Sequence, residues 1–317
     1  MATITLLGGT GFVGTALTTR LAARGERVRV LTRDPANGRH LAVLPGVELV
    51  RANVHDPAVL SRELAGTDVA INLVGILNET GFSGAGFQHA HAELTRKLVA
   101  AAADRGVGKL LQMSALGADE NGPSHYQRSK GRAERHVREA PADLDWTLLR
   151  PSVIFGSGDS LLNRFAGLLR LSGGVLPLAR AGARFQPVWV GDVVRAFEVA
   201  LDSGATSRQS YDLGGPDVVT LRRLVEYTGE VIGVRARVIP LPDAISRIQA
   251  FVMDFVPGRP FSTDNYRSLS VDNVCREDGC ARLGIQPASL GAIVPGYLGG
   301  DSSAARHSRF RRAARRT

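Results

Sequence analysis

The chain of 317 residues contains very little cysteine, with Cys275 and Cys280 as its two thiols. Two cysteines cannot build the disulfide framework of a small secreted scaffold, and they suit a reducing compartment. They have no second ligand pair nearby, so we expect no zinc site and no other metal site. The sequence also lacks the roughly 18 unbroken apolar residues that a spanning helix needs. These absences argue against a disulfide-rich secreted domain and against an integral membrane protein.

Lysine is also scarce. Among 39 basic residues there are three lysines, Lys97, Lys109 and Lys130. We attribute the arginine excess to coding composition and do not assign bidentate chemistry to each arginine. A lysine within a motif is therefore informative.

The positive charge is concentrated at the end of the chain. The net charge is +9, and residues 301–317 hold six arginines against Asp301, a balance of 6 − 1 = +5. This segment has no apolar period, so we expect a disordered, solvated tail. Phe310 is its one aromatic residue, which gives no basis for stacking on nucleic acid bases. Peripheral contact with an anionic membrane is the second interpretation of the tail.

A strand pattern already begins at Ala2, which leaves no room for a targeting segment ahead of it. A signal peptide needs a basic region, an apolar region and a cleavage site before the fold. We therefore expect a cytoplasmic protein, or one that lies peripherally on the inner face of the membrane.

Strand and helix patterns alternate over the first 150 residues or so. Residues 13–24 and 90–105 have helical periodicity, and the run at 69–75 is apolar throughout, as in strands buried on both faces. This alternation predicts an α/β fold, a Rossmann doubly wound parallel sheet with a smaller C-terminal α/β lobe. The strands are expected at 2–7, 27–32, 47–50, 69–74, 109–113 and 146–149.

The first predicted strand leads into a glycine-rich turn, GGTGFVG at 8–14, and then into a helix. Glycines in such a loop permit a tight turn, close approach to a pyrophosphate, and close helix–strand packing. Free N–H groups at the helix start favour an anion. The strand and helix on either side favour a dinucleotide site over a purely structural turn. The candidate cofactor residues here are Gly8, Thr10, Gly11, Phe12, Val13 and Gly14.

The end of the second strand bears on the choice of nucleotide. NAD enzymes usually place Asp or Glu there, whereas an arginine accommodates the 2′-phosphate of NADP. Arg33 stands at this position, which favours NADP(H) over NAD(H). Two alternatives remain: Arg33 lies on a solvated edge, or Asp34 turns inward instead.

We divide the chain into three parts. These are an NAD(P)-binding domain at 1–155, a smaller substrate or partner lobe at 156–300 interleaved with it, and the tail at 301–317. Within the lobe, one helical stripe carries Ile245, Ile248, Val252 and Phe255. We expect this stripe to face the core, although an exposed face could admit a lipid-like substrate.

The pattern Y-x-x-x-K occurs at Tyr126 and Lys130, and Ser114 precedes it after the fifth strand. Four-residue spacing places the two side chains on one helix face, where an ammonium would lower the phenol pKa. With the glycine loop, this pattern resembles the short-chain dehydrogenase/reductase superfamily in its extended or atypical branch. The resemblance implies that Ser114 holds a substrate oxygen, Tyr126 exchanges its proton, and Lys130 also contacts the nicotinamide ribose. The alternative is a scaffold that uses these residues only to bind nucleotide.

The superfamily resemblance also implies further cofactor contacts. Asn53 and Val54 resemble the adenine segment, and Val74 and Gly75 the loop after the fourth strand. The run at 150–156 resembles the segment beside the nicotinamide carboxamide. Its candidates are Pro151 and Ile154.

A narrower resemblance covers nearly the whole chain except the tail. SALGAD at 114–119, YQRSKGRAE at 126–134 and the late segment 272–298 resemble the accessory dinucleotide-binding subunit of respiratory complex I. That family implies tight NADPH binding and an association with quinone metabolism or respiratory membranes. Its complex I members are structural rather than catalytic.

Three functions follow from these patterns. The first is an NADPH-dependent oxidoreductase acting on a small hydrophobic, quinone-related molecule. The second is a non-catalytic NADPH-binding subunit or assembly factor with a partner from the respiratory chain or quinone biosynthesis. The third is a nucleotide-sugar epimerase or dehydratase, which the apolar character of residues 160–180 disfavours. We also interpret His89 and His91 as a solvated helix start, because no further cluster supports a metal there.

Overall fold

A computed structural model describes residues 1–79, 81–256 and 261–299. The strands are β1 (Thr3–Leu7), β2 (Arg27–Thr32), β3 (Val47–Arg51), β4 (Val69–Asn72), β5 (Lys109–Met113), β6 (Asp145–Pro151), β7 (Ile154–Phe155), β8 (Val175–Leu178), β9 (Arg184–Phe185), β10 (Val188–Trp189), β11 (Gln209–Leu213), β12 (Val219–Thr220) and β13 (Arg237–Pro240).

The helices follow the strands in alternation. They are α1 (Phe12–Ala23), α2 (Pro57–Glu63), α3 (Ala85–Phe87), α4 (Leu94–Asp104), α5 (His125–Arg138), α6 (Leu161–Leu171), α7 (Val190–Asp202), α8 (Leu221–Ile232), α9 (Asp243–Met253), α10 (Thr263–Ser268), α11 (Gly279–Arg282), α12 (Leu290–Ile293) and α13 (Pro295–Leu298). Short 3₁₀ turns lie at Pro35–Gly38 and Gly204–Thr206, and a π-helix at Gln88–Glu93 joins α3 to α4.

The chain divides into two compact units, each made of separate segments. The first unit contains Met1–Pro151, Val193–Leu213 and Cys275–Ile285. The second contains Ser152–Asp192, Gly214–Val274 and the chain from Gln286 onward. The predicted tail at 301–317 lies outside the described residues.

The first unit is built on a seven-stranded sheet in the order β11-β6-β5-β4-β1-β2-β3. All neighbouring strands run parallel, with Ile4 opposite Val69 and Thr3 opposite Arg27. Helices flank the sheet, so the predicted doubly wound parallel sheet is confirmed. The six predicted strands are β1 to β6. The seventh strand, β11, returns from late in the sequence to pair with β6.

Apolar side chains from strands and helices form the core of this unit. β1 buries Ile4, Leu6 and Leu7 completely, and β4 is buried along its whole length. Leu94 and Leu98 of α4 join Leu7 in one hydrophobic cluster. The buried strands supply the near-continuous apolar runs that parallel sheets require on both faces.

The second unit has three two-stranded sheets, which pair β10 with β7, β12 with β9, and β13 with β8. Its core joins Phe155, Phe165 and Leu169 to Leu224 of α8 and Val294. No helix in the described ranges has the length and hydropathy needed to cross a membrane.

The prediction for the helical stripe in this unit is wrong. Ile245, Ile248, Val252 and Phe255 are each at least half exposed, at 50, 63, 53 and 66%. The buried positions of α9 are Ser246 and Ala250 instead. The apolar period identified the helix correctly but not the side that packs, because the contact with the rest of the unit admits only small side chains.

Candidate functional site

The order of the strands places two predicted cofactor loops side by side at the carboxyl ends of the central strands β1 and β4. β1 lies between β2 and β4, and the strand order reverses direction between β1 and β4. In open parallel sheets, ligands bind outside the carboxyl ends of the strands at such a switch point. The glycine loop follows β1, and Val74 and Gly75 follow β4, so the loops flank this crevice.

The backbone of the glycine loop requires glycine at two positions. Gly8 has φ +80°, and a Cβ there would lie 3.1 Å from the backbone of Leu73 and Val74. A Cβ on Gly14 would lie 2.2 Å from the Gly8 carbonyl oxygen. The turn is closed by the Gly11 N–H, which donates to the Gly8 carbonyl oxygen at 3.1 Å. The loop therefore brings backbone close to β4 and to α1 with no side chain between them.

This cradle fits a dinucleotide pyrophosphate. α1 begins at Phe12 and carries no acidic residue in its first turn, so nothing there repels an anion. Thr10 and Phe12 are half-buried, whereas Val13 is in the core. Thr10 also lies against the turn after β2, since a Cβ on Gly38 would be 2.9 Å from its methyl group.

The two candidate residues after β2 are Arg33 and Asp34. The Asp34 carboxylate accepts the Ala36 N–H at 3.0 Å and caps the 3₁₀ turn. Arg33 is exposed. Asp34 is thus engaged with its own turn. The nucleotide preference itself stays a prediction.

The adenine segment shows one feature that the sequence patterns missed. Asn53 is exposed and its side-chain oxygen accepts the His55 N–H at 3.2 Å, while Val54 packs in the core. The His55 ring stacks on the His89 ring with centroids 4.0 Å apart. Burial lowers the pKa of His55, and its neighbours His89, Lys97 and Arg33 lower it further, while Glu93 raises it.

The structure brings the predicted lysine and serine together. Lys130 is 3% exposed, and its Nζ donates to the Met113 carbonyl oxygen at 3.3 Å, one residue before Ser114. A Cβ on Gly75 would lie 3.4 Å from the same Nζ. The Ser114 hydroxyl is buried without a hydrogen-bond partner. A buried hydroxyl of this kind is costly unless a ligand satisfies it.

His91 holds this site together, so the interpretation of His91 as a solvated residue is wrong. It is 2% exposed, and its Nε2 accepts the Ile76 N–H at 3.0 Å. The other ring nitrogen therefore carries the proton and donates to Ser129 Oγ at 2.8 Å. Ser129 Oγ in turn donates to the Tyr126 carbonyl oxygen at 2.8 Å. This chain links the loop after β4 to the helix turn that carries Tyr126.

His91 lies within the π-helix, and turns of this kind often occur at functional sites. His91 lies three residues before Leu94, on the side of the helix that reaches the core, and this spacing is the signal that the sequence offered. His91 stays neutral, because burial holds its pKa well below the usual value.

The pKa of Tyr126 departs from the expectation. The side chain packs edge-on against Phe87 and His91, with ring centroids 6.0 and 5.5 Å away. Burial raises the pKa of Tyr126 to about 12, so the expected lowering by the lysine is wrong for the protein without nucleotide. The cause is desolvation, which disfavours the charged tyrosinate. At neutral pH the phenol is protonated and able to donate.

The last two candidates lie at the end of β6 and just beyond it. Pro151 ends β6, and its carbonyl oxygen accepts the Leu116 N–H at 3.0 Å. Ile154 begins β7 in the second unit, opposite Val188, and is half-buried. Their contact with a nicotinamide stays a prediction. Within the described residues no cluster of three or more His, Cys, Asp or Glu could hold a metal ion.

Burial of Lys130 has a measurable effect on stability. Desolvation lowers its pKa from 10.5 to about 8, with partial opposition from Glu134. Between these two pH values the unfolded chain binds more protons than the native one, so stability rises with pH. Relative to Lys130→Met, we expect the nucleotide-free protein to gain about 3 kcal/mol between pH 8 and pH 10.5.

Urea unfolding of both proteins at several pH values within this window measures the gain, and other titrating groups cancel in the difference. A difference that stays flat across the window would show that Lys130 is hydrated or paired.

Comparison with known proteins agrees with this geometry. Residues 8–160 match a family described as NAD(P)H-binding. The chain is 33% identical over 279 residues to the mitochondrial NADH dehydrogenase [ubiquinone] 1 alpha subcomplex subunit 9 of Arabidopsis thaliana, covering 85% of this chain and 68% of the relative. The chain belongs to the subunit 9 family, in the atypical branch of the short-chain dehydrogenases/reductases.

Members of this superfamily with other activities are also similar. The chain is 29% identical over 245 residues to a ceramide reductase of Caulobacter vibrioides, covering 76% of this chain and 74% of that protein. A dTDP-glucose 4,6-dehydratase of Streptomyces venezuelae with NAD bound superposes with a TM-score of 0.72 at 21% identity, covering 93% and 95% of the two chains. Subunit 9 proteins and sugar-nucleotide enzymes therefore share the fold found here. The chain is an NAD(P)-binding protein of the short-chain dehydrogenase/reductase type.

Proposed function

We propose that the protein is an NADPH-dependent oxidoreductase that reduces a carbonyl group on a hydrophobic, quinone-related or lipid-like molecule. The observation that carries this proposal is the set of groups around Ser114. The buried Ser114 hydroxyl has no hydrogen-bond partner, and the preceding residue, Met113, accepts a hydrogen bond from Lys130. Lys130 and Tyr126 lie on one face of α5. A site that served only to hold a nucleotide would not need a buried polar group awaiting a substrate oxygen.

In this proposal each residue has one role. Ser114 donates a hydrogen bond to the substrate carbonyl oxygen, and Tyr126 transfers its phenolic proton to that oxygen as it becomes a hydroxyl. NADPH, when bound, supplies the hydride that forms the new C–H bond. Lys130 holds the nicotinamide ribose and stabilises the tyrosinate until solvent returns a proton. A phenol with a pKa of about 12 favours reduction over oxidation, because it is a proton donor at neutral pH.

The substrate class is argued from similarity and from composition. The similar Caulobacter protein is named for ceramide, a lipid. In this chain, residues 160–180 are mainly apolar, although they include three arginines. These features support a hydrophobic substrate over a nucleotide sugar.

The test has two stages. Mass spectrometry of small molecules released from the purified protein identifies the resident nucleotide. NADPH oxidation is then followed with a short-chain quinone and with a long-chain keto lipid. Conversion of dTDP-glucose, which consumes no net NADPH, is followed by chromatography of the sugar nucleotide in the presence of NAD or NADP. Turnover of the quinone or the keto lipid, and none of the sugar nucleotide, is the expected result. Turnover of the sugar nucleotide alone would move the protein to the epimerase/dehydratase class.

Arg33→Ala should remove most of the preference for NADPH over NADH. A charge-assisted contact with the 2′-phosphate contributes roughly 1.5–3 kcal/mol. Fluorescence titration with both nucleotides measures the change. Arg27→Ala is the matched control, since Arg27 is an exposed arginine at the opposite end of β2. If wild-type protein binds both nucleotides equally, or prefers NADH, Arg33 does not select the nucleotide.

The second candidate function is a non-catalytic NADPH-binding subunit or assembly factor. It is favoured by the relatives that are named as subunits of mitochondrial NADH dehydrogenase. In that role the nucleotide stabilises the fold, and the partner comes from the respiratory chain or quinone biosynthesis. Either function is compatible with a cytoplasmic protein that touches the inner face of an anionic membrane through its arginine-rich tail.

A further inference from the structure

Helix α9 packs through its small side chains and exposes its large apolar ones. Its buried residues are Ser246 and Ala250, and Asp254 just after its end is also buried. The large apolar side chains point the other way. We call this the α9 apolar face: Ile245, Ile248, Phe251, Val252 and Phe255, exposed by 50, 63, 59, 53 and 66%.

Hydrogen bonds and packing contacts fix this orientation of α9. Asp254 accepts both the N–H and the hydroxyl of Thr263, which ties the end of α9 to the start of α10. Ala250 packs with Ala179 and Tyr266 in a small cluster. These contacts hold the α9 apolar face in one orientation.

Charged residues fix the other end of the helix. Asp243 accepts a hydrogen bond from the Tyr266 hydroxyl and forms ion pairs with Arg247 at 3.0 Å and with Arg180 at 3.2 Å. The Arg180 guanidinium also stacks on the Tyr266 ring at 4.7 Å. The helix is thus anchored at both ends while five large apolar residues face outward. An exposed patch of this kind marks an interaction site, because leaving it in water forfeits its burial energy.

The end of the chain indicates what this face meets. The described residues end at Gly299, in the same unit as α9, and the tail that follows carries a net charge of +5. The tail itself contains one large apolar residue, Phe310, and cannot cover five. A second copy carries the same +5 tail, so it offers no opposite charge to this one.

We propose that the α9 apolar face inserts into the interface of an anionic lipid bilayer while the basic tail binds the lipid headgroups. An apolar helix face and a polybasic segment are the two signals that together give stable peripheral attachment. This proposal extends the tail contact proposed above by adding the apolar contact. Its test is independent of catalysis, because nucleotide binding is measured separately.

The direct test places a reporter on the face. Val252→Trp and Val43→Trp are made in the full-length protein, and the second is the control because Val43 is 81% exposed in the first unit. Each is mixed with vesicles of phosphatidylcholine and phosphatidylglycerol that contain brominated chains. Subtracting the wild-type signal removes Trp146 and Trp189. We expect quenching of the tryptophan at 252 and none at 43.

The second test removes the apolar contact. Ile248→Gln places a good helix former in α9, and Phe255→Gln changes a residue just after the helix. Val43→Gln is the matched control. We expect the double variant to bind these vesicles roughly tenfold more weakly or worse, while NADPH affinity and the thermal unfolding midpoint are unchanged. Deleting residues 301–317 should abolish the dependence on phosphatidylglycerol and leave the unfolding midpoint nearly unchanged.

Three outcomes would overturn the proposal. Full vesicle binding by the glutamine variant, with no quenching at 252, would mean that the tail alone binds lipid. A wild-type dimer that becomes a monomer in the glutamine variant would assign the face to a second copy. Loss of turnover in the glutamine variant without any vesicle binding by wild-type protein would assign it to the substrate.

Discussion

Replacing Tyr126 by phenylalanine should lower turnover by about 10²–10⁴-fold, the usual contribution of general acid catalysis. The substitution keeps the ring that packs edge-on against Phe87 and His91, so the fold and the nucleotide affinity should not change. NADPH oxidation with whichever probe substrate the wild-type protein turns over measures the effect. Tyr227→Phe is the control, because it removes a phenol hydrogen bond, to the Leu290 carbonyl oxygen, elsewhere in the protein.

Lys130→Ala complements this experiment, since it should weaken both turnover and nucleotide binding. If Tyr126→Phe retains full turnover, the phenol donates no proton in the reaction. If no substrate is turned over and Tyr126→Phe still fully complements a deletion strain, the non-catalytic subunit function is favoured.

Gly14→Ala should damage both the fold and the nucleotide site. The new Cβ would lie 2.2 Å from the Gly8 carbonyl oxygen, so α1 must move away from the loop. We expect a loss of about 3 kcal/mol of unfolding free energy, at the upper end for overpacking. We also expect NADPH affinity to fall at least tenfold, because the displaced N–H groups no longer converge on the pyrophosphate.

Urea unfolding and fluorescence titration measure these two effects. Gly167→Ala serves as the control, since a Cβ there meets no atom within 4 Å in helix α6. If Gly14→Ala changes neither the free energy of unfolding nor the NADPH affinity, the loop can move enough to accept a side chain. Close packing of α1 against the loop would then not be required.

The sheet could be predicted from the sequence because its strands are short apolar runs separated by amphipathic helices. β1 to β6 each coincide with such a run, and the glycine loop falls where β1 meets α1. The pairing of β11 with β6 could not be predicted in this way, because the partner strands are far apart in sequence and no local pattern encodes the contact.

The site was predictable in its residue types and less so in its electrostatics. Glycine spacing and the tyrosine–lysine pair are local patterns, and the structure places Lys130 next to the residue before Ser114. The raised pKa of Tyr126 depends on how much water its surroundings exclude, which spacing does not reveal. His91 is buried within the π-helix. The exposed apolar stripe of α9 shows that periodicity identifies the apolar face of a helix but not what that face contacts.

The discontinuity of the first unit has a consequence for biosynthesis. Its last segment, Cys275–Ile285, includes α11, which packs so closely on β11 that a Cβ on Gly279 would lie 2.2 Å from the Asp212 carbonyl oxygen. A nascent chain therefore cannot complete the nucleotide-binding unit until this segment has left the ribosome. Until then, the edge of the sheet at β11 lacks its cover and is exposed to aggregation. Chaperone demand should thus persist until Ile285 has emerged from the ribosome.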